Sequence, residues 1–130
     1  MKQRPLSPHL GVYKFMYTMS LSILHRITGG AATVGFLVFV WWLMALASGP
    51  AAYDAAIRLL TSPLAKLLLV GFTFSFVYHF CNGIRHLVWD TGRGLERAQA
   101  RRSGALVVVA ALLLTALVVW LGCAALGSNP

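Results

Sequence analysis

The sequence predicts an all-α integral membrane protein with three transmembrane helices and an N-terminal interfacial segment, and three observations carry that reading. Of 130 residues, 58% are hydrophobic, and only Asp54, Asp90 and Glu96 are acidic against eleven lysines and arginines, a composition ill suited to the surface of a soluble domain. Three stretches, Ile27 to Ala47, Leu67 to Ile84 and Ser103 to Pro130, contain no Asp, Glu, Lys or Arg; roughly 20 helical residues cross a hydrocarbon core of about 30 Å. The cations, finally, are sorted by these spans. Lys2, Arg4, Lys14 and Arg26 precede the first; Arg85, Arg93, Arg97, Arg101 and Arg102 lie between the second and third; only Arg58 and Lys66 lie between the first and second. That asymmetry predicts a cytoplasmic (or matrix) N-terminus and second loop, with the C-terminus opposite. It also argues against nucleic acid as a partner, because a net charge of +8 distributed this way forms no single soluble basic face.

The chain reads as one membrane-anchor domain, 1–130. Its opening segment, 1–21, contains "RPLSPHL" (4–10), whose prolines favour extended backbone, followed by mixed apolar and polar residues suited to the membrane surface. No apolar run with a small-residue cleavage site follows Lys2 and Arg4, and no long Arg- and Ser-rich presequence is present, so the expectation is a retained first span in a bacterial inner membrane rather than an imported mitochondrial precursor. The first helix is expected over 22–48, ended by "SGP" (48–50), with Trp41 and Trp42 at the outer headgroups. "TSP" (61–63) offers a hydroxyl cap and a first-turn proline to a second helix over 63–91, which "DTGRG" closes beside Trp89. The third, over 104–127, is apolar apart from Thr115 and reads as a lipid-facing and packing helix. Cys81 and Cys123 fall roughly 15–20 Å apart in depth at helical rise, beyond the reach of a disulfide, so both are expected free.

The chemistry is concentrated in "YHFCNGIRHLVWD" (78–90), where ionisable groups stand at membrane depth at a cost of at least about 2.5 kcal/mol for each charge at the bilayer centre. At 100° per residue, His79, Gly83, His86 and Asp90 share one helix face, while Arg85 points away and is expected to snorkel to the headgroups. His79 lies about 10 Å deeper than His86. A neutral imidazole there needs a partner, either a hydrogen-bonding group on a neighbouring helix or an iron ion. Gly83 leaves room for a flat macrocycle, and His86 and Asp90 suit polar edge groups or an interfacial network. In "SLSILHRITGG" (20–30), Ser22, Arg26, Gly29 and Thr33 share a face flanked by His25. Arg26 and His25 read either as a positive-inside anchor or, with the Ser22 hydroxyl one turn away, as donors aimed at a carbonyl or a carboxylate.

"RPLSPHL", "SILHRITG" (22–29) and "HFCNGIRHLVWD" (79–90) together resemble the cytochrome b membrane-anchor subunits of succinate dehydrogenase, respiratory complex II, and the three-helix plan extends the resemblance over nearly the whole chain without a departure in the motifs. The resemblance implies that His79 is an axial ligand of haem b, the second ligand coming from the sister membrane anchor subunit. It implies that Ser22 and Arg26 line the ubiquinone site, that His25, Arg26 and His86 are candidates for propionate contacts, and that "RPLSPHL" lies against the iron-sulphur subunit, which with the flavoprotein subunit supplies electrons from succinate. On that reading the chain tethers the soluble subunits to the bilayer and helps reduce quinone in the tricarboxylic acid cycle and respiratory chain, without itself acting on succinate. Two other readings fit the same residues: a haem b anchor of a fumarate reductase, and a cofactor-free structural or assembly protein of the membrane.

Overall fold

The computed structural model describes residues 17–127, and the "RPLSPHL" segment lies outside them. Four helices follow one another: α1 (Tyr17–Ala47), α2 (Pro50–Leu60), α3 (Pro63–Asp90) and α4 (Arg97–Gly127). No strand occurs among the described residues. Three of the helices, α1, α3 and α4, are long and apolar enough to cross a membrane. The chain is therefore a multi-pass, all-α membrane protein.

The punctuation in the sequence accounts for most of the boundaries. Gly49, at a positive φ of 105°, breaks α1 from α2, a conformation that glycine adopts without a Cβ penalty. Ser62 accepts from Ala65 N at 3.4 Å with Pro63 in the first turn of α3, the expected hydroxyl cap. Gly92 and Gly94 (φ 77° and 75°) turn the chain after α3, and Trp89 Nε1 donates to Gly94 O at 3.0 Å across that turn. Two features differ from the sequence reading. The 11-residue α2 was not anticipated: it is too short to span, at about 16 Å, and it buries Ala56 against the ends of its neighbours. α4 begins at Arg97 rather than at 104, because a helix needs only its middle to be apolar and its first two turns carry Arg97, Arg101 and Arg102 as an exposed cationic collar. α1 likewise already includes Ser22 and Arg26 within helix, not at its cap.

The spans run antiparallel in sequence order, with α3 packed against both α1 and α4. Tyr78 is fully buried between them, forming with Val107 and Ala111 the centre of a small core joined by Leu24, Phe74 and Val77. α4 approaches closely because its buried stripe is made of small residues: Ala100, Gly104, Ala111 and Thr115 alternate with Val107. A Cβ on Gly104 would collide with the Leu21 side chain of α1. Small residues at such positions let membrane helices gain dispersion contact where no hydrophobic drive exists. The outward faces carry large apolar side chains; Phe36, Leu64 and Leu113 are 64%, 68% and 66% exposed, as suits lipid or a neighbouring apolar helix. Cys81 and Cys123 are both free thiols.

Candidate functional site

The polar groups at the arginine-rich end of the bundle fall on two opposite sides of α3. On one side, His79 meets α1. Its Nδ1 lies 3.1 Å from the backbone oxygen of His25; a carbonyl only accepts, so Nδ1 carries the proton and Nε2 keeps its lone pair. The His25 ring lies flat on the His79 ring, with centroids 4.0 Å apart and planes within 6°. It also reaches His86, with centroids 5.2 Å apart at 44°, and His86 meets Trp89 edge-on at 5.2 Å. Three histidines therefore form a ladder from the interior to the end of α3, with His25 bridging the difference in depth between His79 and His86. The sequence places His79 and His86 on one face of α3 correctly. It does not reveal that His25 sits between them, because a helical wheel gives a face and not its neighbour.

Nδ1 of His25 is buried and has no hydrogen-bond partner among the described residues, as is also true of Asn82 Nδ2 and Thr115 Oγ1. An orphaned polar atom of this kind marks a strained or ligand-completed place. Gly83 is half-buried, and a Cβ built there would meet nothing within 4 Å. Open space therefore lies beside the histidine face. Ser22 and Arg26 are exposed on α1 one turn apart, with no hydrogen-bond partner among the described residues; their donors point outward, not into α3. Asp90 is exposed as the last residue of α3.

The other side of α3 is closed. Arg85 does not snorkel: it is 7% exposed, and its expected reach to the headgroups is corrected by three hydrogen bonds. Nε donates to Ser103 Oγ at 2.9 Å, Nη2 to Ala100 O at 2.9 Å and Nη1 to Asn82 Oδ1 at 3.2 Å. The guanidinium also lies 3.9 Å from the centre of the Trp89 ring. The rigid donor fork finds fixed oxygens on α4 more favourable than a climb to the surface. Ser103, Asn82 and Tyr78, whose hydroxyl donates to Leu21 O at 3.2 Å, were not singled out by the sequence, since each reads alone as an ordinary polar residue of a helix.

With Nδ1 donating to a carbonyl, the neutral form of His79 has its free lone pair on Nε2, the form in which haem iron takes an imidazole. Among the described residues, no group of three or more His, Cys, Asp or Glu side chains is placed to hold a bare metal ion.

Comparison with known proteins agrees in extent with the three-span plan. Residues 1–118 match the family model described as succinate dehydrogenase/fumarate reductase transmembrane subunit. A Rickettsia prowazekii protein named succinate dehydrogenase cytochrome b556 subunit is 43% identical over 116 residues, covering 88% of this chain and 90% of that protein. Its namesake in Paracoccus denitrificans is 39% identical over 114 residues, 88% of each. The human mitochondrial cytochrome b560 subunit is 38% identical over 118 residues, which are 85% of this chain and 66% of the human protein. With a family model spanning most of its length and relatives well above 30% identity over most of theirs, the chain belongs to the succinate dehydrogenase/fumarate reductase transmembrane subunit family.

Proposed function

We propose that the chain is the haem b-binding membrane anchor of a succinate:quinone oxidoreductase, with His79 as one axial ligand of the haem iron and Ser22 and Arg26 at the quinone-reduction site. The observation that carries the proposal is the His79 imidazole, whose Nδ1 is held by the His25 carbonyl so that Nε2 is the ligating nitrogen. The residues fit the group: the buried Nδ1 of His25 has no partner among the described residues, the space beside Gly83 is open, and cationic or hydrogen-bonding side chains at the end of the ladder, His25, Arg26 and His86, suit propionates. Haem b, when bound, supplies a one-electron centre whose potential follows its axial ligands and burial. The likeness to succinate dehydrogenase cytochrome b subunits supports assigning the second axial ligand to the sister anchor subunit.

The exposed Arg26 guanidinium places positive charge where a quinone oxygen develops negative charge, and the Ser22 hydroxyl, one turn away, donates to or relays a proton towards the same oxygen. The flavoprotein and iron-sulphur subunits dock on the arginine-rich end. Charge sorting puts that end on the cytoplasmic side of a bacterial inner membrane, and Asp90 and His86 belong to its interfacial network.

The test is a reduced-minus-oxidised optical spectrum of the complex purified on this chain. A b-type spectrum is expected, and His79→Ala should abolish or strongly alter it. A colourless complex, or one whose spectrum and potential His79→Ala leaves unchanged, overturns the proposal.

A further inference from the structure

Beside the Cε1–Nδ1 edge of the His79 ring, the first helix carries no side chain at position 29. A Cβ built on Gly29 would stand 2.8 Å from Cε1 and 3.1 Å from Nδ1 of His79, so the ring and the methyl cannot both keep their places. The next residue is a built-in contrast: a Cβ on Gly30 would meet nothing within 4 Å. Helix geometry explains why the gap falls at 29. In an α-helix the carbonyl of residue i points along the axis at residue i+4, so a side chain at 29 stands beside the oxygen of His25. An imidazole from another helix can reach that oxygen, as His79 Nδ1 does at 3.1 Å, only if position 29 is bare. The parallel His25 ring, 4.0 Å away, fixes the tilt.

We infer that Gly29, the His25 carbonyl and the His25 ring form a seat that sets both the orientation and the tautomer of His79, and that Gly29 is a positioning residue for iron ligation. The inference rests on the reading that His79 binds haem iron. A hydrogen bond accepted from the non-ligating nitrogen raises the basicity of the ligating one and fixes its direction, and axial-ligand electronics are one of the levers on a haem potential. The seat therefore tunes the centre as well as holding it.

The experiment compares Gly29→Ala with Gly30→Ala in the assembled complex. Both add one methyl group and gain the same helix propensity. Optical α-band, low-spin electron paramagnetic resonance g-values and midpoint potential are read per mole of complex, with His79→Ala in parallel. Gly30→Ala should match the parent, whereas Gly29→Ala should displace the g-values and the potential, or lose haem. If His79→Ala removes the spectrum but Gly29→Ala matches Gly30→Ala, the seat is wrong and the ligand assignment stands. If His79→Ala leaves the spectrum intact, the ligand reading falls and takes the seat with it. Should Gly29→Ala prevent assembly, the Gly29→Ala/His79→Ala double variant decides, because removing the ring makes room for the methyl. Recovery of complex above the Gly29→Ala amount supports the seat, and no recovery overturns it.

Discussion

The two sides of α3 carry similar polar cargo and treat it in opposite ways. Towards α4, Arg85 spends its donors on Ser103, Ala100 and Asn82 and lays its plane near Trp89, so that a full charge inside the bundle is enclosed by this chain alone. Towards α1, His25 keeps a buried nitrogen with no partner among the described residues, only the Nδ1 of His79 is engaged by the His25 carbonyl, and Ser22 and Arg26 find no partner among the described residues. Depth alone cannot account for the difference, since both sides lie on the same turns of the same helix. What separates them is which groups are held. The Arg85 guanidinium is held by side chain and backbone, with only the neutral Asn82 Nδ2 and Thr115 Oγ1 left buried without a partner among the described residues, whereas towards α1 it is an imidazole nitrogen, a potential ligand, that is left over. Buried polar groups are rarely left unpaired in native structures, so the open side is where ligands and neighbouring subunits are to be sought.

Substitutions on the two sides should therefore fail differently. The largest effect is expected on the open side. Arg26→Leu should lower succinate-to-quinone turnover by about 10²-fold, and Ser22→Ala by less, while succinate oxidation with a soluble artificial acceptor and the amount of complex are kept. If both activities fall in step with the amount of complex, Arg26 belongs to the architecture and the contrast breaks at that residue. On the closed side, Arg85→Ala should cost about 2 kcal/mol of stability, the worth of losing hydrogen bonds to a charged group and leaving oxygens unpaired. Thermal denaturation in detergent should show this loss, and the haem spectrum of whatever complex survives should be that of the parent. A changed spectrum in a stable Arg85→Ala complex would mean that the two sides are electrostatically coupled through α3. The smallest effect is expected for Tyr78→Phe, which removes the hydroxyl donated to Leu21 O and keeps the packing; about 0.6 kcal/mol is typical of such a bond between membrane helices, read by the same denaturation.

Much of this was legible in the residues. Charge sorting and apolar length gave three spans, "TSP" marked the cap of α3, and 100° arithmetic put His79, Gly83, His86 and Asp90 on one face. The misses have physical reasons. α2 is neither long enough to register as a span nor charged enough to register as a loop, although its sequence, "PAAYDAAIRLL", opens with a first-turn proline and is rich in strong helix formers. Arg85 was misplaced because a cation near a helix end ordinarily climbs to water. The signal against that lay on another helix, in the small Ala100 and the bare Gly104 that let α4 come close. His25 and Gly29 were on the page as part of a polar stretch, but their meeting with His79 is a tertiary fact, and single-helix periodicity carries no information about which turn of α1 faces which turn of α3.

The closed side also constrains how the protein is made. Arg85 finds its α4 acceptors 15 and 18 residues further along the chain, and synthesis proceeds from the N-terminus. Until Ser103 has left the ribosome, α3 is a span whose guanidinium is without those two partners. A lone charged span is costly to release into lipid, whereas the α3–α4 hairpin, with its turn held by Trp89 and Gly94, carries the guanidinium with its donors already hydrogen-bonded. The cost of a lone charged span therefore favours insertion of α3 and α4 as a pair over insertion of α3 alone.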